Sequence, residues 1–140
     1  MTAQLDLVME QGSTFRLIFT LYDDQVDANG AVVLGSDGKP LQGSPRDFTG
    51  WVGRMQVRKT YLTPVLMDLG PADITLGPLG KVTIRAGAEK TAQLLDVTSR
   101  DPLKAITVGL YDLEIVRTND ATEVDRLLMG KVVVSPNVTR

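Results

Sequence analysis

Apolar and polar side chains alternate with a period of two along most of this chain. In residues 14–22, Phe15, Leu17, Phe19 and Leu21 fall on one side, and Arg16 and Thr20 on the other. Successive side chains of a strand point to opposite faces, so this segment predicts a strand packed on one face and wet on the other. A second long strand carries Trp51, Gly53, Met55 and Val57 inward and Arg54, Gln56 and Arg58 outward, giving it a basic outer face. Shorter strands are expected at 65–69 and 74–76, and another at 81–86 with Val82, Ile84 and Ala86 inward. Residues 106–116 and 123–134 predict a long hairpin turning at 118–121, with Tyr111, Leu113 and Ile115 inward and Asp112 and Glu114 outward. On the return arm Leu127 and Met129 share one parity and Val132 and Val134 the other, which predicts a bulge at Gly130 between them.

Three further expectations follow from this pattern. Residues 6–9 pair ahead of the Phe15 strand through a turn at Gln11-Gly12-Ser13. Arg126 and Lys131 guard an exposed edge near the last strand. Trp51 is a core residue, so that Trp51→Ala removes about 3–5 kcal/mol of stability. The exception to alternation is 88–95, where Thr91, Leu94 and Leu95 stand at helical spacing and predict one or two helical turns. Residues 96–104, with Pro102, read as loop. Many short strands with frequent turn signals predict an all-β fold, an immunoglobulin-like antiparallel β-sandwich of about seven or eight strands. It has one short helical crossover and an inserted hairpin.

The inserted segment, residues 24–47, stands apart within a single domain spanning 1–140. Asn29-Gly30 and Asp37-Gly38 are strong tight-turn dipeptides on either side of Ala31-Val32-Val33-Leu34, which predicts a small β-excursion. Val32, Val33 and Leu34 have no evident claim on the main core. They either pack back on their own domain or meet another chain.

The 140 residues, 15.2 kDa in all, suffice for one domain with a real core. Histidine and cysteine are absent, which excludes Ser-His-Asp triads, cysteine nucleophiles, disulfides and Cys/His zinc sites. The carboxylate pairs Asp23/Asp24, Asp112/Glu114 and Glu123/Asp125 read as solvated faces, because an acid–base pair needs two carboxyls converging across a pocket. A calcium loop built on Gln25–Gly30 lacks the first aspartate and the closing glutamate. Gly77-Pro78-Leu79-Gly80-Lys81 leads into a strand and is a turn, not a phosphate loop. No catalytic, cofactor-binding or metal-ligating residue is therefore assigned.

A net charge of −2 gives no surplus for nucleic acid. Arg54, Arg58, Lys59 and Arg85 form a basic stripe if their strands are neighbours, with Tyr61 as the one exposed aromatic candidate. A wet sheet face balanced by acids is the plain reading; a protein contact, where arginine is favoured, is the other. The opening residues lack the basic and apolar regions of an export signal, and no apolar run is long enough to span a bilayer, so synthesis in a cytosol is expected.

Several blocks carry a family resemblance. They are Asp6-Leu7-Val8-Met9-Glu10-Gln11-Gly12-Ser13-Thr14-Phe15, Phe48-Thr49-Gly50-Trp51 with Met55-Gln56-Val57-Arg58, and Gly80-Lys81-Val82-Thr83-Ile84. Tyr111-Asp112-Leu113-Glu114, Leu127-Leu128-Met129-Gly130-Lys131-Val132 and the ending from Val134 to Arg140 complete the set. In this order they resemble a small virion structural protein of tailed bacteriophages and prophages. They are also similar to the N-terminal immunoglobulin-like domain of phage baseplate upper proteins.

The resemblance implies a virion component in the tail or baseplate, an adaptor joining neighbouring components or fibres. Its partners would be other virion proteins and copies of itself, with no nucleic acid, membrane or small-molecule substrate. The segment 23–47 departs from the family pattern, where a short turn is usual. Val32, Val33, Leu34, Arg54, Arg58, Tyr61 and Arg140 are the candidate interaction residues. A capsid decoration protein is the alternative in the same setting, and a carbohydrate-binding module the alternative from another class.

Overall fold

A computed structural model describes residues 2–94 and 106–135. Arg140, Leu95 at the end of the expected helical turns, and the loop expected at 96–104 lie outside the described residues. The fold is all-β. Its strands are β1 (Ala3–Gln4), β2 (Leu7–Glu10), β3 (Phe15–Thr20), β4 (Tyr22–Asp24), β5 (Gln42–Pro45) and β6 (Trp51–Arg58). They continue with β7 (Val65–Leu69), β8 (Ile74–Leu76), β9 (Lys81–Ala86), β10 (Ile106–Arg117) and β11 (Asp120–Ser135). The first sheet has the order β1-β11-β10-β6-β7, with β2 also on β11, and the second the order β3-β9-β8. β4 and β5 form a separate ladder.

Two layers share one core, as the alternation requires. From the first sheet come Met9, Met55, Val57, Leu69, Leu113, Ile115, Val132 and Val134, and from the second Ile74, Val82, Ile84 and Ala86, all buried. Phe15, Leu17 and Phe19 of β3 pack against this cluster half-buried. Burying such side chains is the main favourable term in folding, about 1.5–3 kcal/mol for each large one. The helical crossover, α1 (Ala88–Thr91) followed by a 3-10 turn at Ala92–Leu94, forms where the spacing places it. Thr91 is buried there and donates its hydroxyl to the carbonyls of Ser13 (2.8 Å) and Ala88 (3.2 Å). Lys90 ties the crossover to the sheets through Asp73 (2.9 Å) and the Asp68 carbonyl (2.8 Å).

The expected topology needs four corrections. The first sheet is mixed, because β1 and β2 run parallel to β11. β2 therefore does not pair with β3. The turn at Gln11–Ser13 carries the chain from one sheet to the other, and both strands present apolar faces to one core from opposite sides. Alternation reports a buried face, not a neighbour.

The bulge in β11 lies at Leu127, not Gly130: Leu113 pairs with Leu128 and Glu114 with Arg126, leaving Leu127 as the extra residue. Leu128, Val132 and Val134 then share the core parity and Met129 turns outward. Gly130 is needed for a different reason, since a Cβ there would collide with the Leu5 carbonyl. Tyr111, opposite Gly130, donates its hydroxyl to that carbonyl. Burial, and then the charge of Asp6, push the Tyr111 phenol up to about 12.

β11 is also no edge, being flanked by β10 on one side and β1 and β2 on the other. Arg126 and Lys131 lie on its outer face. Finally, the described residues hold eleven strand segments, where seven or eight are expected for the chain. The break in the ladder at Leu5–Asp6 splits β1 from β2, and the inserted segment contributes β4 and β5.

Trp51 is half-buried. Two guanidinium groups lie over its ring, Arg117 at 4.8 Å and Arg46 at 5.6 Å from the centroid. Its packing is thus partly cation–π, so the loss on truncation is smaller than for an enclosed core residue.

Candidate interaction surfaces

Two surfaces gather the candidate residues. The first is an arm built from residues 22–45. At its base β4 pairs with β5, Leu21 donates to the Gly80 carbonyl (2.8 Å), and Arg46 donates its backbone N–H to Leu21 (2.9 Å). Further out, Val26 bridges Val32 and Leu34 bridges Pro40. Three hydrogen bonds close a ring between the segments: Gln25 N–H to Leu41 C=O (2.8 Å), Leu41 N–H to Val33 C=O (2.9 Å), and Val33 N–H to Gln25 C=O (2.8 Å).

The two turns are those the dipeptides predict. Gly30 and Gly38 adopt φ of 81° and 78°, in the left-handed region that side chains with a Cβ disfavour. Asp27 and Asp37 brace the turns with carboxylate oxygens that accept backbone N–H bonds from Asn29 and Ala31, and from Lys39.

Nothing between residues 22 and 47 is buried. Tyr22, Val26, Val32, Leu34 and Leu41 are exposed large apolar groups, with Val32 at 47% and Leu34 at 58% exposure, and Val33 is half-buried. Of the two readings of Val32–Leu34, packing onto the domain core does not occur. Backbone bonds and turn chemistry hold the shape of the arm.

The second surface is the outer face of the first sheet. The pairing of β6, β10 and β11 sets side chains in rows: Arg58, Leu110 and Lys131; then Gln56, Asp112 and Met129; then Arg54, Glu114 and Arg126. Together with Gln4, Asp6, Thr60 and Tyr61 they line a shallow basin of about 810 Å³. Arg54 pairs with Glu114 (3.0 Å) and Arg126 with Asp112 (3.6 Å). Arg58 donates to the Thr63 carbonyl (2.8 Å) and to Gln56 (3.2 Å). Among the described residues, neither Arg58 nor Lys131 is in an ion pair. Burial, and then the neighbouring Glu114 charge, push the Asp112 carboxyl up, against the pull of Arg126, Arg54 and Arg58.

The rim of the basin is a stitched turn. Thr63 accepts the Thr60 N–H at its hydroxyl (2.8 Å) and donates that hydroxyl to the Thr60 carbonyl (2.9 Å). This fixes Tyr61 and Leu62 in solvent, 77% and 97% exposed.

Of the predicted residues, Arg54, Arg58 and Tyr61 meet at the basin, and Val32, Val33 and Leu34 sit together on the arm; Arg140 lies outside the described residues. The stripe with Arg85 does not form. Arg85 is on β9 in the second sheet, opposite Arg16, while Arg54 and Arg58 are on β6 in the first. Sequence reasoning missed Leu110, Met129 and Lys131 as basin residues, and it did not single out Tyr22, Val26 and Leu41 as exposed apolar groups beside Val32 and Leu34. The outward parity of Asp112 and Glu114 extends to Leu110 and would have found it. The β11 column was hidden by the bulge.

Among the described residues, no group of three or more acidic side chains is placed to hold a metal ion. Set beside known proteins, the chain matches no family model and no curated sequence.

Proposed function

We propose that this chain is a structural adaptor of a tailed-phage particle, an immunoglobulin-like sandwich that joins neighbouring tail or baseplate components by protein–protein contacts. The observation that carries the reading is the arm. It folds without burying one side chain and holds five large apolar groups in water. Exposed apolar groups clustered on one element mark a surface that meets a partner.

Strand order supports the fold. If β3, β6, β7, β8, β9, β10 and β11 are strands B, C, C′, D, E, F and G, the sequence order is met throughout. The two sheets then divide as B-E-D and G-F-C-C′. The blocks that resemble virion proteins supply the setting, and attachment by an added strand or a docked segment suits such a scaffold.

The test is cryo-electron microscopy of particles from a phage or prophage that encodes the chain. Density matching the domain on the tail or baseplate is the expected result. Density on head lattice sites would replace the adaptor by capsid decoration, and its absence from particles would end the reading. A second reading, a carbohydrate-binding module, is favoured by Tyr61 standing exposed beside the polar basin. Glycan-array binding that Tyr61→Ala abolishes would select it.

A further inference from the structure

We infer that the arm of one copy docks into the basin of a second copy, head to tail. The inference deepens the adaptor reading and rests on it, for it names the chain itself as one of the partners joined.

Charge and shape point to the pairing. The arm carries Asp23, Asp24, Asp27 and Asp37 against a single lysine, Lys39. Asp23 and Asp24 meet no basic side chain within ion-pair distance among the described residues. The basin has the opposite balance, with Arg54, Arg58, Arg126 and Lys131 against Asp6, Asp112 and Glu114. Its internal ion pairs use Arg54 and Arg126; Arg58, hydrogen-bonded to the Thr63 carbonyl and Gln56, and Lys131 have no carboxylate partner among the described residues, so both cations can meet an incoming carboxylate. Between these two cations lies Leu110, with Met129 in the next row and Tyr61 on the rim. The apolar groups that would meet them are Val26, Val32, Leu34 and Leu41 of the arm. An aromatic and arginines around an apolar centre are the composition of interface hot spots.

Because the two patches differ, the contact is heterologous. It repeats from copy to copy and closes into a ring or runs on as a filament, according to the rotation between neighbours. Opposite charges on the two faces also set the register and speed encounter.

The test is sedimentation of the full chain over a concentration series at low and high salt. Wild-type protein is expected to associate, with a dissociation constant about tenfold weaker in 0.5 M than in 0.05 M sodium chloride as the charges are screened. An arm variant, Val32→Asp with Leu34→Asp, and a basin variant, Arg58→Glu with Lys131→Glu, are each expected to stay monomeric. Mixed in equal amounts they retain one intact arm and one intact basin between them, so the mixture forms a dimer and stops there. Arg58→Gln with Lys131→Gln serves if the reversed basin does not fold. A wild-type monomer at every concentration, variants that still associate alone, or a mixture that stays monomeric would each overturn the pairing. A monomer that is nonetheless found on particle tails removes the self-contact and leaves the adaptor reading standing. Association by a chain that particles lack does the reverse.

Discussion

The two-sheet body and the arm are both made of extended chain, yet they are held together by different forces. In the body β2, β3 and β6 to β11 give one face to a common core, so Leu113 on β10 and Ile84 on β9 lose all contact with water. In the arm every side chain from 22 to 47 keeps some exposure, and order comes from backbone bonds, two glycine turns and the aspartates that brace them. Backbone hydrogen bonds contribute little net stability when water is the alternative partner. The body therefore supplies the stability, and the arm is free to carry side chains that a self-sufficient monomer would hide. Segments of low local stability on a rigid scaffold are where binding surfaces concentrate.

Mutations can break this comparison or sharpen it. The largest loss is expected for Leu113→Ala, which empties a fully enclosed position and should cost about 2–5 kcal/mol in denaturant unfolding. A loss under about 1 kcal/mol would mean that the core is not where the stability lies. Trp51→Ala should cost less, about 2 kcal/mol, since the ring is half-buried beneath two guanidinium groups. A loss as large as that of Leu113 would return Trp51 to the enclosed core.

Asp112→Asn probes the basin. The folded state holds the Asp112 proton more tightly than the unfolded chain does, so its ionisation opposes folding as pH rises through the folded titration range, and the effect vanishes below the ordinary carboxylate range. The variant should melt higher than wild type at pH 7, with the gap closing as pH falls below 3.8. A lower melting temperature at pH 7 would show that the Arg126 pair outweighs burial. The smallest effect is expected on the arm, where Val32→Asp with Leu34→Asp should change stability by no more than about 0.5 kcal/mol.

Much of this architecture can be read in the residues. The faces of β3, β6, β9 and β10 follow from strict alternation, the arm from Asn29-Gly30 and Asp37-Gly38, and the crossover from the spacing of Thr91 and Leu94. What alternation cannot convey is which strand lies beside which. Arg85 and Arg54 both point outward, but from different sheets, and Leu7 and Phe15 both point inward from opposite walls of one core. A single extra residue, Leu127, reverses parity along β11, which concealed the third column of the basin. Tyr61 was legible as an exposed aromatic, but the threonine pair that fixes it belongs to the folded turn.

The separation of a self-sufficient body from an arm proposed to make contacts is tested most directly by replacing residues 26–43 with a tight turn. Thermal unfolding of the shortened chain and its incorporation into particles would be measured side by side. The account predicts an unchanged melting temperature and a loss of incorporation. A shortened chain that fails to fold, or one that enters particles as wild type does, would contradict it.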